Sequence, residues 1–114
     1  MLFKLLAIAL AMFVVDLPWL MWSKQFWVKL PGVSADGMRP LFGIPVYLAM
    51  AYLFTYAKSI GQAFLIGLST YAVFDGTNAV MFEKYPLWLG VSDTLWGGFL
   101  FTAVYWLKGF ITAV

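Results

Sequence analysis

The stretch YAVFDGTNAVMF, from Tyr71 to Phe82, places an acid inside an otherwise apolar part of the chain. Asp75, Thr77 and Asn78 stand close together there, while the residues on both sides have the composition of a lipid-soluble helix. An aspartate at the middle of a bilayer costs roughly 2.5–3.5 kcal/mol on insertion scales. An acid in this setting needs compensating partners, so the stretch predicts a polar site inside a membrane protein.

The composition of the whole chain favours membrane integration. Of its 114 residues, 64% are hydrophobic and 11% are charged, and the mean hydropathy is +0.91. Soluble domains have about 25% charged residues, and a soluble domain of this size could not bury so much apolar surface. We therefore expect residues 1–114 to form a single transmembrane domain of an integral, multi-pass membrane protein.

Two missing residue types exclude several kinds of chemistry. The chain has no cysteine and no histidine, which excludes disulfides, thiolate metal sites, histidine-liganded haem and histidine-based catalytic triads within it. Its net charge of +2 comes from scattered lysines and arginine rather than a basic patch, so we expect no nucleic-acid partner. We predict a protein that is not an enzyme and that needs neither a metal nor another cofactor.

Four apolar segments predict four transmembrane helices, because a spanning helix needs about 20 apolar residues. Their approximate bounds are residues 2–22, 41–57, 60–82 and 89–113. Lys58, Ser59 and Gly61 form a short connection, which predicts an antiparallel hairpin of the second and third spans. Ser92 is typical of a helix N-cap and would place Asp93 in the first turn of the fourth span. The expected fold is an all-α bundle of four transmembrane helices.

A more polar segment, residues 23–43, separates the first two spans. Apolar and basic side chains alternate at its start with helical spacing: Lys24, Phe26, Trp27, Lys29 and Leu30. This pattern favours a short amphipathic segment lying on the membrane surface after helix 1. An irregular loop with aromatic anchors is the alternative. Asp36 in this segment, and Glu83 after the third span, are expected to be solvated.

Three acids, Asp16, Asp75 and Asp93, lie in or at the edge of a span. In an up-down-up-down bundle the first and third spans run in the same direction, and the fourth begins on the side where the third ends. All three acids therefore lie toward the same leaflet, which predicts that they converge. The candidate intramembrane polar site consists of Asp16, Asp75, Thr77, Asn78, Asp93 and Trp96.

Two interpretations of this site remain open. In the first it is a polar site, open to one side of the membrane, that holds a cation, a proton or a polar headgroup. In the second it is a polar cluster that holds the helices together. Asp75 would then accept from Tyr71, Thr77, Asn78 or a tryptophan N–H, and Asp93 would cap a helix.

Three motifs resemble those of a known family. They are DLPWL with Asp16 and Trp19, TYAVFDGTNAV around Asp75, and SDTLWGG with Asp93 and Trp96. In their order and separation the chain resembles, over nearly its whole length, a family of small four-span bacterial-type predicted membrane proteins, a domain of unknown function. Gly76 replaces the leucine usual in that family. The resemblance implies the four-span architecture and singles out these residues, but it implies no activity.

From the sequence we expect a non-catalytic accessory or structural subunit of a larger membrane complex, such as a respiratory or photosynthetic one. Its partners would be membrane lipids and either other membrane-protein subunits or further copies of itself. The alternative is a small transporter or channel component that moves a cation or proton through the acidic site. The expected location is a bacterial inner membrane or an organelle membrane derived from one.

Overall fold

The computed structural model describes residues 1–30 and 40–111, and within these ranges it contains four α-helices, a short 3₁₀ turn and no strand. The elements are α1 (Leu2–Trp27), the 3₁₀ turn (Pro40–Phe42), α2 (Gly43–Phe54), α3 (Ile60–Met81) and α4 (Leu87–Ile111). The prediction of an all-α chain with four helices is confirmed for this part of the chain.

The helices alternate in direction. Hydrogen bonds join Asp16 to Trp96 and Trp19 to Asp93, so residue numbers rise along α1 as they fall along α4. α3 and α4 are antiparallel in the same way and form the most extensive contact in the bundle. α1 packs against both α2 and α4, while α2 and α3 contact each other least among neighbouring helices. This unequal packing leaves room between α2 and α3.

All four helices contribute to one apolar core near the end of the bundle where α1 begins. Its buried members are Ile8, Ala9, Met12, Met50, Ala51, Phe54, Ala63, Leu100, Phe101 and Val104. Phe54 packs edge-on against the rings of Phe101 and Tyr105, with centroid separations of 6.2 and 6.1 Å. Side chains pack closely at this end, and none of the acids in the described ranges is buried there.

Glycines allow α3 and α4 to approach closely. A Cβ atom on Gly67 would lie 2.7 Å from Cγ of Phe101 and still closer to the carbonyl oxygen of Gly97. Such contacts are far too short for carbon, so α3 can lie against α4 only because Gly67 has no side chain. A Cβ on Gly61, another small residue of α3, would have only the hydroxyl oxygen of Ser59 nearby, at 4.0 Å, so close approach depends on the middle of α3 and not on its start.

The first helix is longer than the predicted span of residues 2–22. It continues through Pro18 to Trp27 and ends in a turn in which the backbone N–H of Val28 donates to the carbonyl of Lys24 at 3.1 Å. The side chain of Trp27 donates to the buried Ser23 hydroxyl at 3.0 Å. The prediction of a separate surface segment after helix 1 is therefore wrong for the first residues of that segment, because they form the last turn of α1. Its remainder, with Asp36, lies outside the described residues.

The other helix ends also differ from the predicted ones. α2 ends at Phe54, and Ser59 caps α3 by accepting from the backbone N–H of Gln62 at 3.2 Å. The expectation that Ser92 caps the fourth helix is wrong, because α4 already begins at Leu87. The carbonyl of Pro86 accepts the first intrahelical bond, from Gly90 at 3.1 Å. Asp93 consequently lies in the second turn as a buried side chain and does not serve as a cap.

Two of the four predicted spans, α1 and α4, are long and apolar enough to cross a membrane by length and composition. α3 has 22 residues, but it is not apolar enough over its length to meet the same criterion. α2, with 12 residues, is apolar but shorter than a typical span.

Candidate functional site

Asp16 is the point at which all four helices meet. Its side chain on α1 is 2% exposed. The hydroxyl of Tyr47 on α2 and that of Tyr71 on α3, the latter at 3.5 Å, donate to Oδ2. The indole N–H of Trp96 on α4 donates to Oδ1 at 2.6 Å. One carboxyl group thus receives a donor from each of the other three helices, which fixes their relative positions.

The other two acids form a pair. The indole N–H of Trp19 donates to Oδ1 of Asp93 at 2.7 Å. Asp75 accepts from the hydroxyl of Tyr85 at 2.6 Å and from that of Thr94 at 3.1 Å. The carboxyl groups of Asp75 and Asp93 lie close enough to interact with each other.

Asp16 and Asp93 are connected by two exchanged tryptophans. Asp16 and Trp19 are three residues apart on α1, and Asp93 and Trp96 are three residues apart on α4. Since the helices are antiparallel, each tryptophan donates to the acid of the opposite helix. The two indole rings stack on each other, with centroids 5.8 Å apart and planes inclined by 18°. We call these four residues the Asp–Trp exchange.

Tyr85 closes the network at the turn between α3 and α4. Burial, and then its hydrogen bond to Asp75, raises the pKa of the Tyr85 phenol well above its ordinary value. The phenol therefore keeps its proton and remains a donor to Asp75. The side chain of Asn78 lies near the same tyrosine, which places Asn78 next to the acid pair.

A cleft of about 660 Å³ borders this network between α1, α2 and α3. Asp16 and Asp93 contribute to its wall, and Asn78 lies further toward the end of α3. The described lining residues are otherwise mostly aromatic or aliphatic: Trp19, Leu20, Trp27, Leu30, Val46, Tyr47, Ala49, Met50, Leu53, Thr70, Tyr71, Phe74 and Phe82. The volume lies within the 300–1,000 Å³ typical of small-molecule sites, which are also mainly apolar with a few placed polar groups.

The structure brings together most, but not all, of the residues singled out from the sequence. Asp16, Asp75, Asp93 and Trp96 lie in one buried polar region, and Asn78 lies beside it, near Tyr85. Asp75 borders a smaller cavity of about 320 Å³ between α3 and α4. Thr77 is exposed on the surface of α3, away from the cleft.

The donors expected for Asp75 are also different from those observed. Tyr71 shares a helical face with Asp75, yet its hydroxyl reaches Asp16. The donors to Asp75 come from outside α3, from Tyr85 and Thr94. Helical periodicity identifies residues on one face of one helix, but it cannot identify a donor supplied by another element.

Five residues of the network were not assigned to the site from the sequence: Trp19, Tyr47, Tyr71, Tyr85 and Thr94. Two of them had a detectable signal. Tyr71 shares a helical face with Asp75, and Trp19 has a spacing of three residues from Asp16 that repeats in Asp93 and Trp96. The structure places Trp19 within the bundle, whereas Trp22 is exposed.

The network is complete as it stands. Every buried side-chain nitrogen or oxygen in the described ranges has a hydrogen-bond partner. The acids there do not form a group of three that could hold a metal ion. The arrangement is therefore a set of carboxyl groups with aromatic donors, suited to holding protons or accepting further hydrogen bonds and positive charge.

Comparison of the chain with protein-family models, with curated proteins and with solved structures found no match. The resemblance described above therefore rests on its three motifs alone.

Proposed function

We propose that the protein is a small multi-pass membrane protein that binds a proton or another cation at its buried acids, as a component of a transporter. The observation that carries this proposal is that three carboxyl groups from three helices meet in one buried region beside a cleft. Intramembrane acids are costly, and they commonly mark ion or substrate pathways.

The distribution of charge supports embedding all four helices. Within the described ranges, lysines lie at the two ends of the bundle: Lys4, Lys58 and Lys108 at one end, and Lys24, Lys29 and Lys84 at the other. Between them, large apolar side chains such as Leu10, Val46, Val73 and Phe99 are exposed on the outside. An outer surface that is apolar between two charged ends is the pattern that a bilayer requires. α2 would complete its crossing with the flanking residues 40–42 and 55–57.

The depth of the acids fits a site within the hydrocarbon layer. Asp16 follows Lys4 by 12 residues and precedes Lys24 by 8, or about 18 Å and about 12 Å along a helix. The interval between the two lysines is about 30 Å, close to the thickness of the hydrocarbon core. Asp75 and Asp93 lie further from the Lys4 end than Asp16 does.

The apolar half favours a transporter over an open channel. Between Asp16 and the Lys4 end, the side chains of Ile8, Met12, Leu100 and Val104 are at most 1% exposed. Side chains packed in this way would have to move before an ion could pass them. In this proposal the cleft is the binding site, and a change of conformation would give it access to each side of the membrane in turn.

Flux measurements in proteoliposomes test this proposal. The wild-type protein should dissipate an imposed proton or potassium gradient faster than protein-free liposomes do. Asp16→Asn and Asp93→Asn should lower that flux at least tenfold. Glu83→Gln is the matched control, because Glu83 is exposed outside the network, and it should retain wild-type flux. Wild-type flux no greater than that of empty liposomes would contradict the proposal.

An accessory subunit of a larger membrane complex is the second candidate. The observation in its favour is the satisfied network, because a polar cluster with no buried atom left unpaired in the described ranges needs no ligand. Gentle extraction at native expression, followed by native sizing and mass spectrometry, separates the two candidates. Migration within a large defined complex would support the subunit. Migration as a small homo-oligomer would exclude it.

A further inference from the structure

We propose that the cleft between α1, α2 and α3 binds a hydrophobic organic cation, with Asp16 and Asp93 supplying the negative charge. This inference deepens the proposed function, on which it rests, by naming the class of substrate. It depends on three properties of the cleft: the sign of its charge, the aromatic character of its wall and its size.

The charge of the cleft has one sign. Asp16 and Asp93 both contribute to its wall, and none of the described lining residues is a lysine or arginine. Two acids and no basic residue among these lining residues favour a positively charged occupant over a neutral or negative one.

The wall of the cleft is rich in aromatic side chains. Trp19, Trp27, Tyr47, Tyr71 and Phe74 all line it. The face of an aromatic ring attracts a cation within about 6 Å, and the attraction is stronger where water is excluded. Aromatic rings beside a carboxyl group form the usual chemistry for recognising a quaternary or bulky cation.

The size and apolar character of the cleft disfavour a small inorganic ion as the best occupant. A sodium or magnesium ion needs several oxygen ligands to replace its hydration shell. In the described ranges the acids do not form a group suited to a metal, and the side chains of Val46, Ala49 and Leu53 offer only hydrocarbon. A volume of about 660 Å³ instead accommodates an organic molecule with apolar substituents. We expect it to enter between α2 and α3, where the contact between neighbouring helices is least.

Tetraphenylphosphonium and tetraphenylborate form a suitable pair of probes, because they have nearly the same shape and opposite charges. Binding to the purified wild-type protein in detergent would be measured by equilibrium dialysis. We expect saturable binding of tetraphenylphosphonium and at least tenfold weaker binding of tetraphenylborate. Equal binding of both probes would indicate partition into detergent and overturn the proposal.

Two kinds of variant connect binding to the cleft. Asp16→Asn should weaken tetraphenylphosphonium binding at least tenfold, whereas Glu83→Gln should leave it unchanged. Val46→Trp should also weaken binding at least tenfold, because it fills the cleft without touching the hydrogen-bond network. Ile44→Trp is its matched control, since both residues are exposed on α2, at 52% and 56%, but only Val46 lines the cleft.

The outcomes distinguish this inference from the proposed function. Proton flux that depends on Asp16, without any tetraphenylphosphonium binding, would overturn the proposal that the cleft binds an organic cation. It would leave the proposal of an acidic transport site in place. Acid-dependent binding without flux would keep the cleft as a cation site and overturn transport. If Asp16→Asn failed to fold, Val46→Trp would decide, because binding that persists in this variant places the probe elsewhere.

Discussion

The two halves of the bundle are built from the same four helices but have different chemistry. On α1, Met12 and Asp16 are one turn apart on the same face, and they are 0% and 2% exposed. Met12 belongs to a core made only of apolar side chains, whereas Asp16 accepts hydrogen bonds from three helices. The boundary between the halves is therefore about one helical turn wide. One half is organised for packing and the other for polar chemistry, so mutations in them should affect different properties.

In the polar half, the Asp–Trp exchange links α1 to α4 by two hydrogen bonds. The same motif, an acid followed three residues later by tryptophan, occurs on two antiparallel helices. Each tryptophan satisfies the acid of the other helix, which makes the two hydrogen bonds reciprocal. The packing of the apolar half does not depend on specific donor–acceptor pairs of this kind, because contacts between aliphatic side chains have no preferred direction.

Met12→Ala should produce the largest loss of stability. Removing this fully buried side chain leaves a cavity and should lower the free energy of unfolding by about 2–5 kcal/mol, as measured by SDS titration in mixed micelles. Tetraphenylphosphonium binding should remain close to that of the wild type. Asp16→Asn, one turn away, should have the opposite profile, with weaker binding and a smaller loss of stability. Equal losses of both properties in both variants would show that the two halves are not separable.

Gly67→Ala should have the next largest effect. Its Cβ would meet the backbone of α4 at Gly97, so the two helices must separate, and overpacking of this kind costs about 1–3 kcal/mol. Gly76→Ala on the same helix has nothing within 4 Å of its Cβ and should instead stabilise α3 by up to about 1 kcal/mol. The same titration would give both values. A loss of stability in Gly76→Ala equal to that in Gly67→Ala would contradict this account of α3–α4 packing.

Tyr85→Phe should have the smallest effect on stability, about 1 kcal/mol, because it removes one donor to Asp75 and preserves the ring. Tyr56→Phe is the control. Its hydroxyl bonds to that of the exposed Tyr52, at 2.6 Å, so its loss should change the free energy of unfolding by less than about 0.5 kcal/mol. A Tyr85→Phe value indistinguishable from the control would mean that the Tyr85 bond does not stabilise the acid pair.

Much of the architecture could be predicted from the sequence, because it depends on composition and on local pattern. The apolar segments predicted four helices, and the short connection near Ser59 predicted where α2 gives way to α3. The positions of Asp16, Asp75 and Asp93 near one end followed from helix direction alone. These inferences require only a helical rise and an alternating topology.

The partners of the acids could not be predicted in the same way. Tyr47 lies 31 residues from Asp16, and Trp96 lies 80 residues from it. Which donor reaches which acid depends on how the helices are rotated against one another, and no spacing along the chain records that rotation. Ser92 shows the related limit for helix ends: it has the chemistry of a cap, yet Pro86 provides an earlier start for α4.

Access of water to the cleft tests the central claim most directly. The chain has no cysteine, so Asn78→Cys and Thr77→Cys each provide a single thiol at nearly the same depth. Asn78 lines the cleft and Thr77 is exposed on α3 outside it. With the protein in membranes, a charged, water-soluble thiol reagent should modify Asn78→Cys, tetraphenylphosphonium should slow that reaction, and Thr77→Cys should stay unmodified. No reaction of Asn78→Cys would contradict a binding site and indicate a dry structural cluster.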